Sequence, residues 1–231
     1  MSTELESIPN KVIVHIGIDF PDNAPNTFIE KVTENLTAPG LVIKVNKRPP
    51  MGVMASLEWT IPTAIAAYLL KPYFDGFLKE AGKDHYIILK NWCKSFIENG
   101  RSIKIHKIIA SQSTNKHVGQ DIQSRAVSLL LQTKNGKIIK LLFDNDLSKE
   151  DWENAIEQFF DFAIDNYDKF PNDKLTHAII GLEEDTRLNI YAIINRKTKQ
   201  LQFYDDKGLL RLHNDQKNKQ NFSDNDNKIA T

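Results

Sequence analysis

Residues 61–70 read IPTAIAAYLL, a run without a single charged side chain, with Pro62 near its start and Pro72 just past its end. Apolar residues on every side of a helical wheel belong inside protein or inside lipid. Length and charge argue against a bilayer span. A span needs about 20 apolar residues, whereas residues 53–70 amount to 18, contain Glu58 and Pro62, and run directly into Lys71 and Asp75. A carboxylate at mid-bilayer costs about 2.5–3.5 kcal/mol. The run therefore reads as a helix apolar all round, started by Pro62 in its first turn and kinked or restarted at Pro72, with Gly76 and Gly82 weakening its continuation.

Beyond Gly82 the spacing of Tyr86, Leu89, Cys93 and Ile97, with Ile88, Trp92 and Phe96 alongside, predicts an amphipathic helix that stops at Asn99-Gly100. Upstream, short apolar runs at 12–18 and 41–45 read as strands. Between them Phe28, Ile29, Val32 and Leu36 recur at helical spacing before Pro39-Gly40 ends the helix. Downstream of Gly100 the texture turns to strand at 102–109, 125–133 and 137–144, the last two joined by a Lys134-Asn135-Gly136 turn. Ser148 with Asp151 caps a helix whose buried stripe is Trp152, Ala155, Ile156, Phe159, Ala163 and Tyr167. Residues 175–182, 188–195 and 200–204 read as three more strands. From His213 the chain is rich in Asn, Asp, Lys and Gln, which predicts a disordered tail.

The expected fold is therefore α+β. It comprises an N-terminal strand-helix-strand unit, a central pair of helices with one apolar all round, and a C-terminal, mostly antiparallel ββαβββ half. Residues 1–10 form a flexible N-terminus, 11–100 the βαβ unit with the helical pair, 101–212 a C-terminal α+β lobe, and 213–231 the tail. Two lobes meeting near Gly100 are the preferred arrangement, and one sheet running through both is the alternative.

Composition narrows the function classes. With 30 basic and 30 acidic residues there is no net field to draw the chain to nucleic acid or an anionic membrane. The balance is uneven along the chain: residues 101–150 hold nine Lys or Arg against four Asp or Glu, and residues 151–200 hold six against ten. Neutralisation between the basic strands and the acidic helix after Ser148 is the simplest expectation. One cysteine, Cys93, rules out an internal disulfide and a cysteine-based zinc site. The acidic, non-apolar residues 1–10 lack the texture of a secretory signal, so a cytoplasmic location is expected. An abundance of Lys, Ile and Asn fits an AT-rich, bacterial genome.

No nucleophile elbow, phosphate-binding loop, dinucleotide fingerprint or HExxH motif occurs. Asp19 closes the first strand, a position where open sheets place ligands. The best constellation is Glu80, Asp84 and His85: on a helix continuing through Gly82 the two carboxylates share a face beside an imidazole, suited to acid and base work. Solvated charges at a bend are the plainer account. Cys93 lies two helical turns, about 12 Å, from His85 and on the apolar face, so it reads as core. No cofactor or metal is expected.

The chain thus reads first as a non-enzymatic interaction module, binding a protein partner or a second copy of itself. Its contact would be the apolar helix with Trp59, Tyr68, Tyr73, Phe74 and Phe77, more aromatic surface than one core face needs. The alternatives are a small enzyme using Glu80, Asp84 and His85, and a defence effector whose apolar helix makes transient membrane contact.

Overall fold

The computed structural model describes residues 12–22, 26–34, 36–48, 63, 65–101, 122–124, 126–182 and 190–215. Its centre is a strand where a helix was expected. Ile65–Leu69 is β3, paired on one side antiparallel to β1 (Ile16–Pro21) and on the other parallel to β4 (Val127–Gln132). A short apolar run does not distinguish a buried helix from a strand buried on both faces. What decides is the demand of two flanking strands for backbone partners, because an unpaired buried amide is costly. Pro62 and Pro72 leave room for little more than this five-residue element.

The sheet has seven strands in the order β2-β1-β3-β4-β5-β6-β7, where β2 is Ile43–Arg48, β5 Ile138–Leu141, β6 Ile190–Ile194 and β7 Leu201–Tyr204. Parallel and antiparallel pairs alternate across it. Each parallel pair is bridged in sequence by a helix, as a parallel crossover requires: α1 (Asn26–Glu34) between β1 and β2, α2 (Leu78–Arg101) between β3 and β4, and α3 (Lys149–Lys169) between β5 and β6. Strands from both sides of Gly100 enter the same sheet.

The second half is mostly antiparallel, as expected, with β4-β5 and β6-β7 antiparallel and β5-β6 parallel. Residues 175–182 do not add a strand, because Asp173 accepts a hydrogen bond from the Thr176 amide (2.8 Å) and caps a short helix, α4 (Lys174–Ile179). The hairpin at 134–136 forms as read, with Gly136 at φ +89°. Ser148 caps α3 by accepting from the Asp151 amide (3.1 Å). The strand expected at 102–109 lies outside the described residues.

One sheet face carries Ile16, Ile18, Phe20, Ile65, Ala67, Leu69, Val127, Leu129 and Leu131, packed with Leu89, Trp92, Phe96, Ile156, Phe159 and Phe160 of the helices. Fully burying each such large side chain contributes about 1.5–3 kcal/mol. Cys93 is wholly buried in this layer, and its thiol pKa is pushed up by burial. On the other face Leu142, Tyr191 and Ile193 are covered by Leu209 of a helix over 206–215, which Asp205 opens by accepting from the Gly208 amide (2.5 Å). The tail expected from His213 is therefore helical as far as residue 215.

Among the described residues, the ion pairs that α3 makes with other elements are with α2 and with Lys199. Glu157 lies between Lys90 and Lys94 of α2, and Asp151 pairs with Lys199 (2.8 Å). Lys140, one of the strand lysines, alternates with the buried Ile139 and Leu141 and so stands on the face away from α3. Its pKa is lowered to about 8 by burial and then by Arg48.

Gly100 shows how tightly α2 lies on β4. A Cβ there would come within 2.9 Å of Val127 Cβ, which cannot rotate away. Helix propensity favours Ala over Gly by about 0.8–1 kcal/mol, but overpacking costs about 1–3 kcal/mol. Gly100→Ala is expected to lower stability in urea denaturation; an increase would show that α2 rides loosely on the sheet.

Candidate functional site

The turn after β3 departs from an ordinary helix. At Tyr73–Phe77 the Leu78 amide donates to the Tyr73 carbonyl, closing a π-helical turn, with Tyr73, Phe74 and Phe77 all buried. Such turns are found disproportionately at functional sites. A second departure comes at Gly82, inside α2, where φ +77° and ψ −177° break the helical path. That conformation is essentially confined to glycine and costs of order 1–3 kcal/mol for other residues.

These two irregularities frame a groove of about 1080 Å³. Its lining combines Ile13 and His15 before β1, Pro39 and Gly40 before β2, Lys71, Pro72, Asp75, Gly76 and Phe77 around the turn, Ala81, Asp84, His85 and Ile88 of α2, and Gln132 at the end of β4. The sheet brings these together: β1 runs antiparallel to β3 with Ile16 opposite Leu69, so His15 sits beside the start of the turn and accepts through its carbonyl from the Leu70 amide (3.1 Å). Gln132 holds the same corner by accepting from the Lys71 amide (3.0 Å).

His85 carries a buried polar atom with unmet demand in this wall. It is 5% exposed, and its Nδ1 lies 3.1 Å from the Tyr73 hydroxyl. Its Nε2 is buried and has no hydrogen-bond partner. Phe77 packs edge-on against the imidazole (centroids 4.7 Å) and also against His15 (5.3 Å). Burial lowers the His85 pKa, and burial, then Cys93 and Tyr86, raise that of Tyr73. Both are therefore neutral at pH 7. His15 accepts at Nδ1 from the Val42 amide (2.9 Å).

Of the residues singled out in sequence, Asp84 and His85 both line the groove, whereas Glu80 belongs to α2 with its side chain outside the described residues. Asp84 is exposed and makes no ion pair among the described residues. Asp75 is shared by Lys134 and, at 3.9 Å, Lys71. Asp19 lies elsewhere, on β1, where it accepts from Asn46 (2.9 Å).

The rings expected to form a docking helix are otherwise engaged. Tyr73, Phe74 and Phe77 are buried, Phe74 stacking on Tyr167 (4.6 Å). Tyr68 is half-buried on the sheet face opposite the α2–α3 layer, its pKa raised by burial and then by Asp19. Trp59 lies outside the described residues. Spacing gave no signal for His15, Lys71 or Gln132, because only strand pairing makes them neighbours of His85.

Among the described residues, no group of three or more His, Cys, Asp or Glu is placed to hold a metal ion. No helix of the described residues is long and apolar enough to cross a membrane. Compared with protein-family models, curated proteins and solved structures, the chain matches none.

A depressed His85 pKa has a definite sign in stability. The unfolded imidazole binds a proton near its ordinary pKa of about 6.5, the folded one only at lower pH, so acid favours unfolding. The His85 contribution is complete above that value and is lost as pH falls through the folded pKa. Tyr73, His15, Asp75, Asp84 and Lys71 are the other titratable groups around it. Urea midpoints at pH 7.5 and 5.5 are expected to differ less in His85→Phe than in the parent chain; equal differences would mean that His85 takes up its proton freely in the fold.

Proposed function

We propose that this chain is a small-molecule-binding protein whose ligand occupies the groove between the π-helical turn, the start of α2 and the 38–42 segment. The observation that carries this reading is the buried, unpartnered Nε2 of His85 in the groove wall. Leaving such a group unsatisfied costs about 1–3 kcal/mol, and unsatisfied groups are few in folded proteins. The π-helical turn and the break at Gly82, in a conformation open to glycine, fall within the same 13 residues of sequence, 73–85. Irregularities concentrated at one groove are what a binding site leaves in a fold otherwise well packed.

Binding without chemistry is the reading supported best. Base catalysis at an activated nucleophile needs that nucleophile within hydrogen-bond reach of the imidazole, and the group His85 reaches is the buried Tyr73 hydroxyl, its pKa raised by burial. Asp84 lines the same groove but does not hydrogen-bond the imidazole. An interaction role through residues 61–77 has less to work with, since β3 is interior and three of the five rings are packed within the chain. Membrane release of that segment would require extracting the strand that pairs with both β1 and β4.

The test is equilibrium dialysis of the full chain against a host metabolite extract, read by mass spectrometry, alongside Ala81→Trp. Ala81 is exposed in the groove wall, so the indole fills the groove without disturbing the core. A species retained by the parent chain and lost in Ala81→Trp is expected. Retention of nothing, or of the same species by both, would remove the groove reading.

A further inference from the structure

We infer that the ligand presents a neutral hydrogen-bond acceptor, a carbonyl or amide oxygen on an apolar body, to His85, and that the groove rejects anions. This rests on the groove reading and adds the chemistry of its occupant.

The proton inventory gives the polarity. The Tyr73 hydroxyl is wholly buried and its hydrogen-bond partner is His85 Nδ1. A phenol is a good donor and a poor acceptor, and a neutral imidazole nitrogen is a strong acceptor, so the hydroxyl donates to Nδ1. The reverse arrangement would leave the Tyr73 proton buried and unmatched, which folded proteins avoid. With Nδ1 accepting, the neutral ring carries its hydrogen on Nε2. His85 lines the groove, so a ligand that reaches this buried N–H must supply an acceptor. His15 shows the same pattern, since the Val42 amide can donate only to an unprotonated Nδ1.

The charge inventory excludes an anionic acceptor. Asp75 is paired with Lys134 and lies 3.9 Å from the part-exposed Lys71, so the groove's lysine faces a carboxylate of its own wall. Asp84 is the carboxylate left over, and it lines the same wall as His85. An anion at Nε2 would meet this carboxylate with no cation assigned to it, and like-charge juxtaposition is a strong discriminator. Burial favours the neutral form of His85, so the imidazole adds no cation to offset Asp84. The other lining groups are apolar, Ile13, Pro39, Phe77, Ala81 and Ile88, which suits a hydrophobic body attached to that acceptor.

The experiment is a long-range proton–nitrogen spectrum of the full chain labelled with nitrogen-15 in histidine, with His85 assigned by its loss in His85→Phe. Three probes are titrated separately: N-benzylacetamide, phenylacetate and benzylamine. The expected result is an Nε2-protonated His85 before addition, a saturable shift with N-benzylacetamide, and binding of phenylacetate roughly tenfold weaker or less. An Nδ1-protonated ring, tighter binding of phenylacetate, or silence of the amide with the ring correctly protonated would each overturn the inference. Those outcomes leave the groove reading standing, because it is decided by what Ala81→Trp loses in dialysis.

Discussion

Everything else in this fold hangs on the backbone pairing of Ile65–Leu69. β3 is hydrogen-bonded to β1 on one side and β4 on the other, and without it the β2-β1 pair would be severed from the remaining four strands. Its position explains its composition. A strand with neighbours on both edges and little water on either face has no place for a charge, and residues 61–70 contain none. The small Ala66 and Ala67 occupy opposite faces, one toward the α2–α3 layer and one away from it.

The groove is a consequence of how the chain leaves that strand. Pro72 cannot continue the ladder, and the chain turns at once into the π-helical turn, which places Tyr73, Phe74 and Phe77 inward. Tyr73 then sits under His85 and determines which imidazole nitrogen accepts. Because β1 is antiparallel to β3, the residues preceding β1 arrive at the same corner, and His15 packs on Phe77 from the other side. A single strand exit thus supplies the floor, one wall and the anchoring tautomer of the groove.

Charge serves as structure around this site more than as a surface signal. Among the described residues the acidic helix α3 is paired with Lys90 and Lys94 of α2, its neighbour on the same face, and with Lys199. Sequence proximity does not set these pairs, because a crossover helix packs against other helices as well as against its own strands. The equal totals of acid and base are met in part by such contacts between elements, as with Asp75 and Lys134. Asp84 is an exception, and it stands in the groove.

The sequence by itself determined the mixed α+β class, the amphipathic stripes of α2 and α3, the 134–136 hairpin, the burial of Cys93 and the placing of Asp84 beside His85. Each of these rests on local periodicity, a cap, a turn residue or plain adjacency, which act over a few residues. Tertiary structure alone decided that residues 65–69 are a strand, that Tyr73, Phe74 and Phe77 are interior, and that His15, Lys71 and Gln132 meet His85. The reason is physical: an apolar run states that it must be buried, but only the unpaired edges of β1 and β4 state how. The orphaned nitrogen was equally beyond local reading, since whether a histidine is satisfied depends on what the rest of the chain brings to it.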